Sequence, residues 1–240
     1  MLVKWSYILN KGDREINEDY CDMLEYNGNY CFVLADGLGA HDGGEVASKF
    51  VCNHITENFK QLKVINEGVL TDLINNANKS LIAMQKEKQL LNGLRTTVVV
   101  LIITTDEVYY GHVGDSRLYR FENYYKKFQS KDHSVCQKLV NIGEISVDNI
   151  RRHKDRSKLL SVLGQGSEIT ISNNIFSINE SAFLLCSDGL WENVTETEME
   201  IDLLKQNSPD KWLKQIGKRA IINAKGQMDN FSAIAVYINE

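Results

Sequence analysis

Tyr30-Cys31-Phe32-Val33-Leu34-Ala35-Asp36-Gly37-Leu38-Gly39-Ala40-His41-Asp42-Gly43-Gly44-Glu45-Val46-Ala47-Ser48 is the stretch from which the fold can be read. Its first six residues are apolar without alternation, the pattern of a strand covered on both faces. The run ends on a carboxylate, breaks into glycines and passes into helical spacing. Gly37, Gly39, Gly43 and Gly44 let the backbone turn tightly and approach a ligand. A single Asp-Gly after a strand is an ordinary turn. Here the arrangement recurs: Asp115 in Val113-Gly114-Asp115-Ser116-Arg117, Asp188 in Leu185-Cys186-Ser187-Asp188-Gly189, and Asp229 before Asn230-Phe231-Ser232. Aspartates placed beside several apolar strands point to one shared site.

Outward from this stretch, a strand is expected up to about Leu9, then a loop from Lys11 to Asp19. Strands Tyr20 to Tyr26 and Tyr30 to Ala35 flank the hairpin turn Asn27-Gly28-Asn29. Val46, Ala47, Phe50, Val51, Ile55 and Phe59 recur at helical spacing, as do Leu70, Leu73, Ile74, Ala77, Leu81 and Met84, with Gly93 placed to end the second helix. A β-branched run from Thr96 to Thr105, a strand from Val108 to Val113 and a hairpin over 118–128 follow. Residues 132–166 are poorer in apolar side chains and carry a basic cluster, Arg151, Arg152, Lys154, Arg156 and Lys158, with one helix near Val135 to Ile142. They read as an excursion over the domain. Strands Ile169 to Ile178 and Ala182 to Cys186 come next. A capping box at Thr195-Glu196-Thr197-Glu198 and the pair Ser208-Pro209 open two helices, and a strand from Ser232 to Ile238 closes the chain.

Strands joined by short turns make antiparallel sheets, yet several are apolar throughout, so both faces must be covered. Helices arrive in pairs, not in alternation with strands, which argues against a doubly wound parallel sheet. The solution is an α+β fold: an α-β-β-α sandwich of two mainly antiparallel sheets flanked by helices. The 240 residues, with one proline and no low-complexity linker, are expected to form a single domain. With 27 basic against 32 acidic residues and a net charge of −5, there is no electrostatic case for nucleic acid as the main partner. Cys21, Cys31, Cys52, Cys136 and Cys186 lack C-x-x-C spacing and read as reduced core thiols. The N-terminus lacks a signal-peptide pattern, and no run approaches the roughly 20 apolar residues that span a bilayer. A soluble, cytoplasmic protein is expected.

Clustered aspartates without histidine or cysteine partners repel one another unless a cation neutralises them. Oxygen ligands select hard cations, Mg²⁺ or Mn²⁺, over zinc. A pair of such ions suits phosphate ester hydrolysis. Arg14, in its glycine-containing loop, has the fork geometry that holds a phosphate.

The chain resembles the metal-dependent serine/threonine protein phosphatases of type 2C, in particular their compact bacterial branch. The resemblance rests on Gly12-x-Arg14-x-x-Asn17-Glu18-Asp19, Asp36-Gly37-x-Gly39-x-His41-x-x-Gly44-Glu45-x-Ala47-Ser48, Gly114-Asp115-Ser116-Arg117, Asp132-His133-Ser134, Ser187-Asp188-Gly189-Leu190-Trp191 and Asp229-Asn230-x-Ser232. It implies the α-β-β-α sandwich, with residues 132–166 as a flap subdomain. It implies that Asp36 bridges two metals, that the Gly37 carbonyl faces one of them, and that Asp188 and Asp229 complete the shell. Asp115, with Asp188, matches a third and weaker metal site. Glu18, Asp19 and Asn230 stand behind the ligands, and Arg14 binds the substrate phosphate. The implied reaction is hydrolysis of phosphoserine or phosphothreonine by direct attack of metal-bound hydroxide, reversing a serine/threonine kinase. The implied partners are phosphorylated proteins and a cognate kinase, and the implied state a monomer.

The chain departs from the family pattern in several places. Leu38 stands where animal relatives carry a histidine proposed as general acid, and Ala40 replaces a usual glycine. The flap pattern His-Pro-x-Arg-Asn becomes His153-Lys154-Asp155-Arg156-Ser157, and Ser161 stands where arginine is common. His41 is expected to orient its loop. Trp191 is read as packing behind the site, His54 and His112 as core or surface residues, and His133 as structural. The basic cluster reads either as a surface for acidic or phosphorylated substrates or as a solvated face. A catalytically silent phosphoprotein scaffold and a metal-dependent nuclease are the competing functional classes; the intact aspartates argue against the first, the acidic balance and motif order against the second.

Overall fold

A computed structural model describes residues 1–38, 43–87 and 93–239. The expectations for Gly39, Ala40 and His41 lie outside these residues. The decisive apolar run forms β3 (Asn29–Leu38), between β2 (Asp19–Tyr26) and β5 (Val98–Ile103). Its alternate side chains serve two cores. Phe32 and Leu34 point between the sheets, while Cys31, Val33 and Ala35 pack under helices α1 (Gly43–Phe59) and α2 (Val69–Glu87). Burial on both faces explains why the run does not alternate.

The second sheet is completed by the short β4 (Arg95–Thr96), which pairs with β3, by β6 (Glu107–Val113) and by β9 (Ser172–Ser177). The first sheet has the order β1 (Leu2–Asn10), β11 (Phe231–Asn239), β10 (Ser181–Cys186), β7 (Arg117–Glu122), β8 (Tyr125–Gln129). All its pairings are antiparallel, as are those of the second sheet. Its outer face is covered by α5 (Glu196–Lys205) and α6 (Pro209–Asn223), through Trp212, Ile216 and Met199. Ile234, Val236, Phe183 and Leu185 turn inward to meet Phe32, Leu34 and Leu101. The α-β-β-α sandwich is thus observed.

Several local expectations hold. Asn27 and Gly28 turn the β2–β3 hairpin with φ of 51° and 74°, as a type I′ turn requires. The capping box forms in full between Thr195 and Glu198. Others are corrected. Ser208 occupies the N-cap position of α6 and Pro209 its first turn, but the Ser208 hydroxyl makes no capping bond. The run expected to be one strand from Thr96 to Thr105 is divided at Thr97, whose hydroxyl serves Asp36. Between Glu87 and Gly93 lie residues outside the described set, so Gly93 does not adjoin the described end of α2. A one-turn helix, α4 (Asp188–Trp191), follows β10 directly where the sequence suggested only a strand end.

Residues 132–166 carry α3 (Val135–Asn141) and a 3₁₀ turn (Val147–Arg152). Cys136 and Ile150 reach the core beneath α5 and α6, and Leu163 reaches the core beneath α1 and α2. Three ion pairs tie the segment or its root to the sandwich: Arg117–Asp132, Arg151–Glu196 and Arg156–Glu192. A fourth basic residue, Lys158, pairs with Asp155 inside the segment. Most of the basic cluster is therefore spent on acidic partners of this chain.

Candidate active site

Asp36 stands opposite Asp19 where β3 leaves the core. Its backbone is held on both sides. The Asp36 N–H donates to Thr97 Oγ1 at 3.0 Å, and the Asp36 carbonyl accepts from the Thr97 N–H at 2.9 Å and from Thr96 Oγ1 at 2.8 Å. The Thr97 and Ser116 hydroxyls meet at 2.7 Å, which links β3 to the turn that carries Asp115. Gly37 donates its N–H to the Glu18 carbonyl, and a Cβ there would lie 2.2 Å from the Gly44 carbonyl oxygen. Glycine is required because the first turn of α1 crosses directly over the strand.

Asp115 follows Gly114, whose φ of 104° disfavours any side chain. Asp188 opens α4. Asp229 precedes β11 and contacts the loop between β1 and β2. There Gly12 has φ of 56°, and a Cβ would lie 2.3 Å from the Asp229 carbonyl oxygen. Asn230 staples that loop: its amide nitrogen donates to the carbonyls of Lys11 and Ile16, and its oxygen accepts from the Glu18 N–H at 2.8 Å. The loop delivers Arg14, which donates to Asp229 Oδ2 at 2.8 Å with about half of each side chain exposed (55% and 47%). The fold thus brings together Asp19, Asp36, Asp115, Asp188, Asp229 and Arg14 from four chain regions.

Burial dominates the electrostatics. Asp36 and Asp115 are pushed well above the ordinary carboxylate range, first by burial and then by neighbouring carboxylates, Asp19 and Asp188 foremost. Burial likewise raises Asp188 to about 7 and Asp19 to about 6. Asp19 Oδ2 accepts from the Ser187 hydroxyl at 2.7 Å, but Oδ1 is buried with no hydrogen-bond partner among the described residues. Such an orphaned carboxylate oxygen costs free energy unless something positive faces it. Among the described residues, no three histidine, cysteine, aspartate or glutamate side chains enclose one ion position. Mg²⁺ and similar ions keep several waters and take only one or two carboxylates each, so an oxygen-only set of this kind fits them and does not fit zinc.

The supporting residues were only partly legible. The Trp191 indole N–H donates to the Asp115 carbonyl at 3.0 Å, and the Arg117 guanidinium lies 3.4 Å over the indole ring. Arg117 in turn makes two bonds to buried Asp132, at 2.7 and 2.8 Å. Trp191 therefore packs behind the site, as expected, and also fixes the Asp115 turn. Thr97, Ser116, Ser187 and Glu192 were not foreseen as site residues. For Glu192 the signal was its spacing: four residues beyond Asp188 on a helical turn, it is the largest charge acting on that group. His133 is structural, exchanging backbone and ring bonds with Gly114. His112 is buried between Tyr110 and His133, and burial lowers its pKa to about 3. His54 bonds to Asn76 away from the carboxylates.

Residues 11–216 match the family protein phosphatase 2C. The serine/threonine phosphatase stp of Listeria monocytogenes is 31% identical over 230 residues, covering 93% of this chain and 90% of that protein. The crystal structure of the serine/threonine phosphatase Stp1 from Staphylococcus aureus superposes with a TM-score of 0.92 at 28% identity, covering 100% of this chain and 96% of the other. The catalytic domain of the phosphatase PstP, solved in complex with two manganese ions, has a TM-score of 0.84 over 99% of each chain. Its 23% identity makes that a likeness of fold. With its sandwich and its gathered aspartates, this chain belongs to the protein phosphatase 2C family and is a protein-serine/threonine phosphatase.

Proposed function

We propose that Asp36, Asp188 and Asp229, with the Gly37 carbonyl, hold a pair of divalent cations, Mn²⁺ or Mg²⁺, and that Asp115 with Asp188 holds a third more weakly. The observation that carries this reading is the set of buried, mutually raised carboxylates around an Asp19 oxygen that has no partner among the described residues. When bound, such cations lower the pKa of a water and neutralise charge on phosphoryl oxygens. The manganese ions of the PstP catalytic domain support the choice of metal.

The chain's own residues do the rest. Arg14 pairs with Asp229 at the mouth and offers its remaining guanidinium donors to a phosphate, which becomes the third member of a charge-assisted cluster. Asp19, Glu18 and Asn230 act from behind, by fixing the loop and orienting neighbouring groups. Leu38 brings no proton to the leaving group, so that proton comes from water ordered by the cluster. Residues 132–166 serve as a flap beside the mouth, held by Arg156–Glu192. The substrates are phosphorylated proteins, the reaction opposes a serine/threonine kinase, and the working unit is a monomer in the cytoplasm.

Phosphate release from a phosphothreonine peptide, measured with and without Mn²⁺, tests the reading. Wild type should need the ion, and Asp36→Asn should lose nearly all turnover at saturating Mn²⁺. Retained turnover by Asp36→Asn would remove the two-ion assignment. Binding of phosphoproteins without release at any metal concentration would favour the scaffold reading.

A further inference from the structure

The sandwich has four sheet edges, and three are blunted. β8 carries Lys126 and Lys127, its pairing with β7 shifts register between Arg120 and Phe121, and Glu200 takes the Lys126 N–H at 2.8 Å. β2 carries Asp19, Asp22 and Glu25, with Asp22 bonded to Thr56 of α1. β9 is six residues long and carries Asn173, which bonds to Thr71 of α2. Edges are normally protected in these ways, by charge, irregularity, shortness or cover.

Among the described residues, β1 has none of this protection. Its nine residues, Leu2–Asn10, contain no proline and one charge, Lys4, and they pair on one side only, with β11. Trp5, Tyr7 and Leu9 are alternate residues on one face and remain 39%, 52% and 40% exposed. The Trp5 ring stands edge-on against Tyr30 and Phe32, at 5.7 and 5.8 Å, which fixes it as a platform. The strip leads to the mouth. Asn10 lies opposite Phe231, two residues from Asp229, and the loop that follows carries Arg14 and the 40% exposed Ile16.

We infer that β1 is the docking edge for the phosphorylated protein: an extended substrate segment adds to it as an antiparallel strand. This rests on the reading of the carboxylate cluster as the catalytic site. β1 runs toward that site, so an antiparallel segment leaves it in the opposite direction. Residues on the C-terminal side of the phosphoresidue lie along β1, and main-chain bonds supply binding with little demand on sequence. Trp5, Tyr7 and Leu9 repeat at about 6.7 Å, so they accept apolar side chains at alternate positions of the segment.

The test compares KM and kcat, with Mn²⁺, for three phosphothreonine peptides sharing one core: a short one, one extended by alternating apolar residues on the C-terminal side, and one extended likewise on the N-terminal side. The C-terminal extension should lower KM about tenfold, equivalent to about 1.4 kcal/mol, with kcat unchanged. In Tyr7→Ser/Leu9→Ser that advantage should vanish, while Tyr7→Phe keeps it. Turnover of a nitrophenyl phosphate ester should be the same in all three proteins, which also reports folding. Equal KM for all peptides, or an advantage that survives the double substitution, would overturn the inference. An advantage confined to the N-terminal extension would overturn the antiparallel seating. A dimer that the double substitution dissociates would give the edge to a second copy instead. Absence of ester turnover with Mn²⁺ would overturn the site reading, and this inference with it.

Discussion

At the scale of single residues, the site depends on groups whose removal leaves a buried partner alone. Arg117 and Asp132 have side-chain exposures of only 3% and 2% and bond through both guanidinium edges. Removing one member of such a pair costs about 3–5 kcal/mol, because the other charge stays buried. Arg117→Met should therefore lower stability by that order in a urea titration and loosen the Asp115 turn through Trp191. Arg14→Ala belongs to a different class. Its side chain is half exposed, so folding should hardly change. Inhibition by inorganic phosphate should weaken at least tenfold, since a charge-assisted arginine–phosphate pair contributes about 1.5–3 kcal/mol. Unchanged phosphate inhibition would mean that the guanidinium serves Asp229 alone. Phenotypes at these two positions should therefore diverge, although both are arginines beside aspartates.

Among the elements, the β7–β8 hairpin shows where local preference and tertiary structure disagree. Asn123 and Tyr124 turn it with φ of 49° and 70°. Asparagine tolerates that region, whereas a tyrosine is unusual there and glycine is normal. Tyr124→Gly should raise stability by about 1 kcal/mol through relief of this conformation, with ester turnover unchanged. A loss of stability would show that the ring's contacts outweigh the backbone term. The α5 capping box makes the opposite case: sequence and structure agree. Thr195→Ala should cost about 1 kcal/mol there.

For the whole molecule, the buried carboxylate cluster couples folding to pH and, on the proposed reading, to metal. Asp19 and Asp188 have folded pKa values of about 6 and 7, above the value near 3.9 expected of an unfolded aspartate. Between these limits the folded state binds more protons, so their contribution to stability falls as pH rises from about 4 to 7. Below that window both states are protonated and the penalty is absent. Divalent cations held as proposed would favour the ionised cluster and offset the penalty. The rise in Tm on adding Mn²⁺ or Mg²⁺ should therefore grow from pH 5 to pH 8. At 100 times Kd it should reach about 5–10 °C, from about 2.7 kcal/mol of binding linkage in a chain of this size. Taking the difference with and without metal removes the opposite trend of Glu196 and Glu198, which are held below the ordinary range. A metal shift independent of pH would place the ion away from these carboxylates.

What the sequence determined by itself was whatever depends on near neighbours in the chain. The unbroken run of β3 required cover on both faces, Asn27-Gly28-Asn29 marked a hairpin turn, and Thr195 with Glu198 specified a helix start. The aspartates at strand ends, and the motif order around them, named the chemistry before any contact was known. Only tertiary structure decided the relations between distant segments. Arg14 rests on Asp229, 215 residues away, and Thr97 fastens both Asp36 and Ser116. In the basic cluster of residues 132–166, ambiguous in sequence, Arg151 and Arg156 pair with acids on α5 and just beyond α4, and Lys158 pairs with Asp155 inside the segment. A lysine or arginine carries no mark of which carboxylate it will face, because that choice is made when the sheets close. The exposed edge of β1 belongs to the same kind of knowledge. Alternating Trp5, Tyr7 and Leu9 would read as a half-buried strand; only the strand order, with β1 at the end of its sheet and no described strand beyond it, leaves those side chains at the surface beside the site.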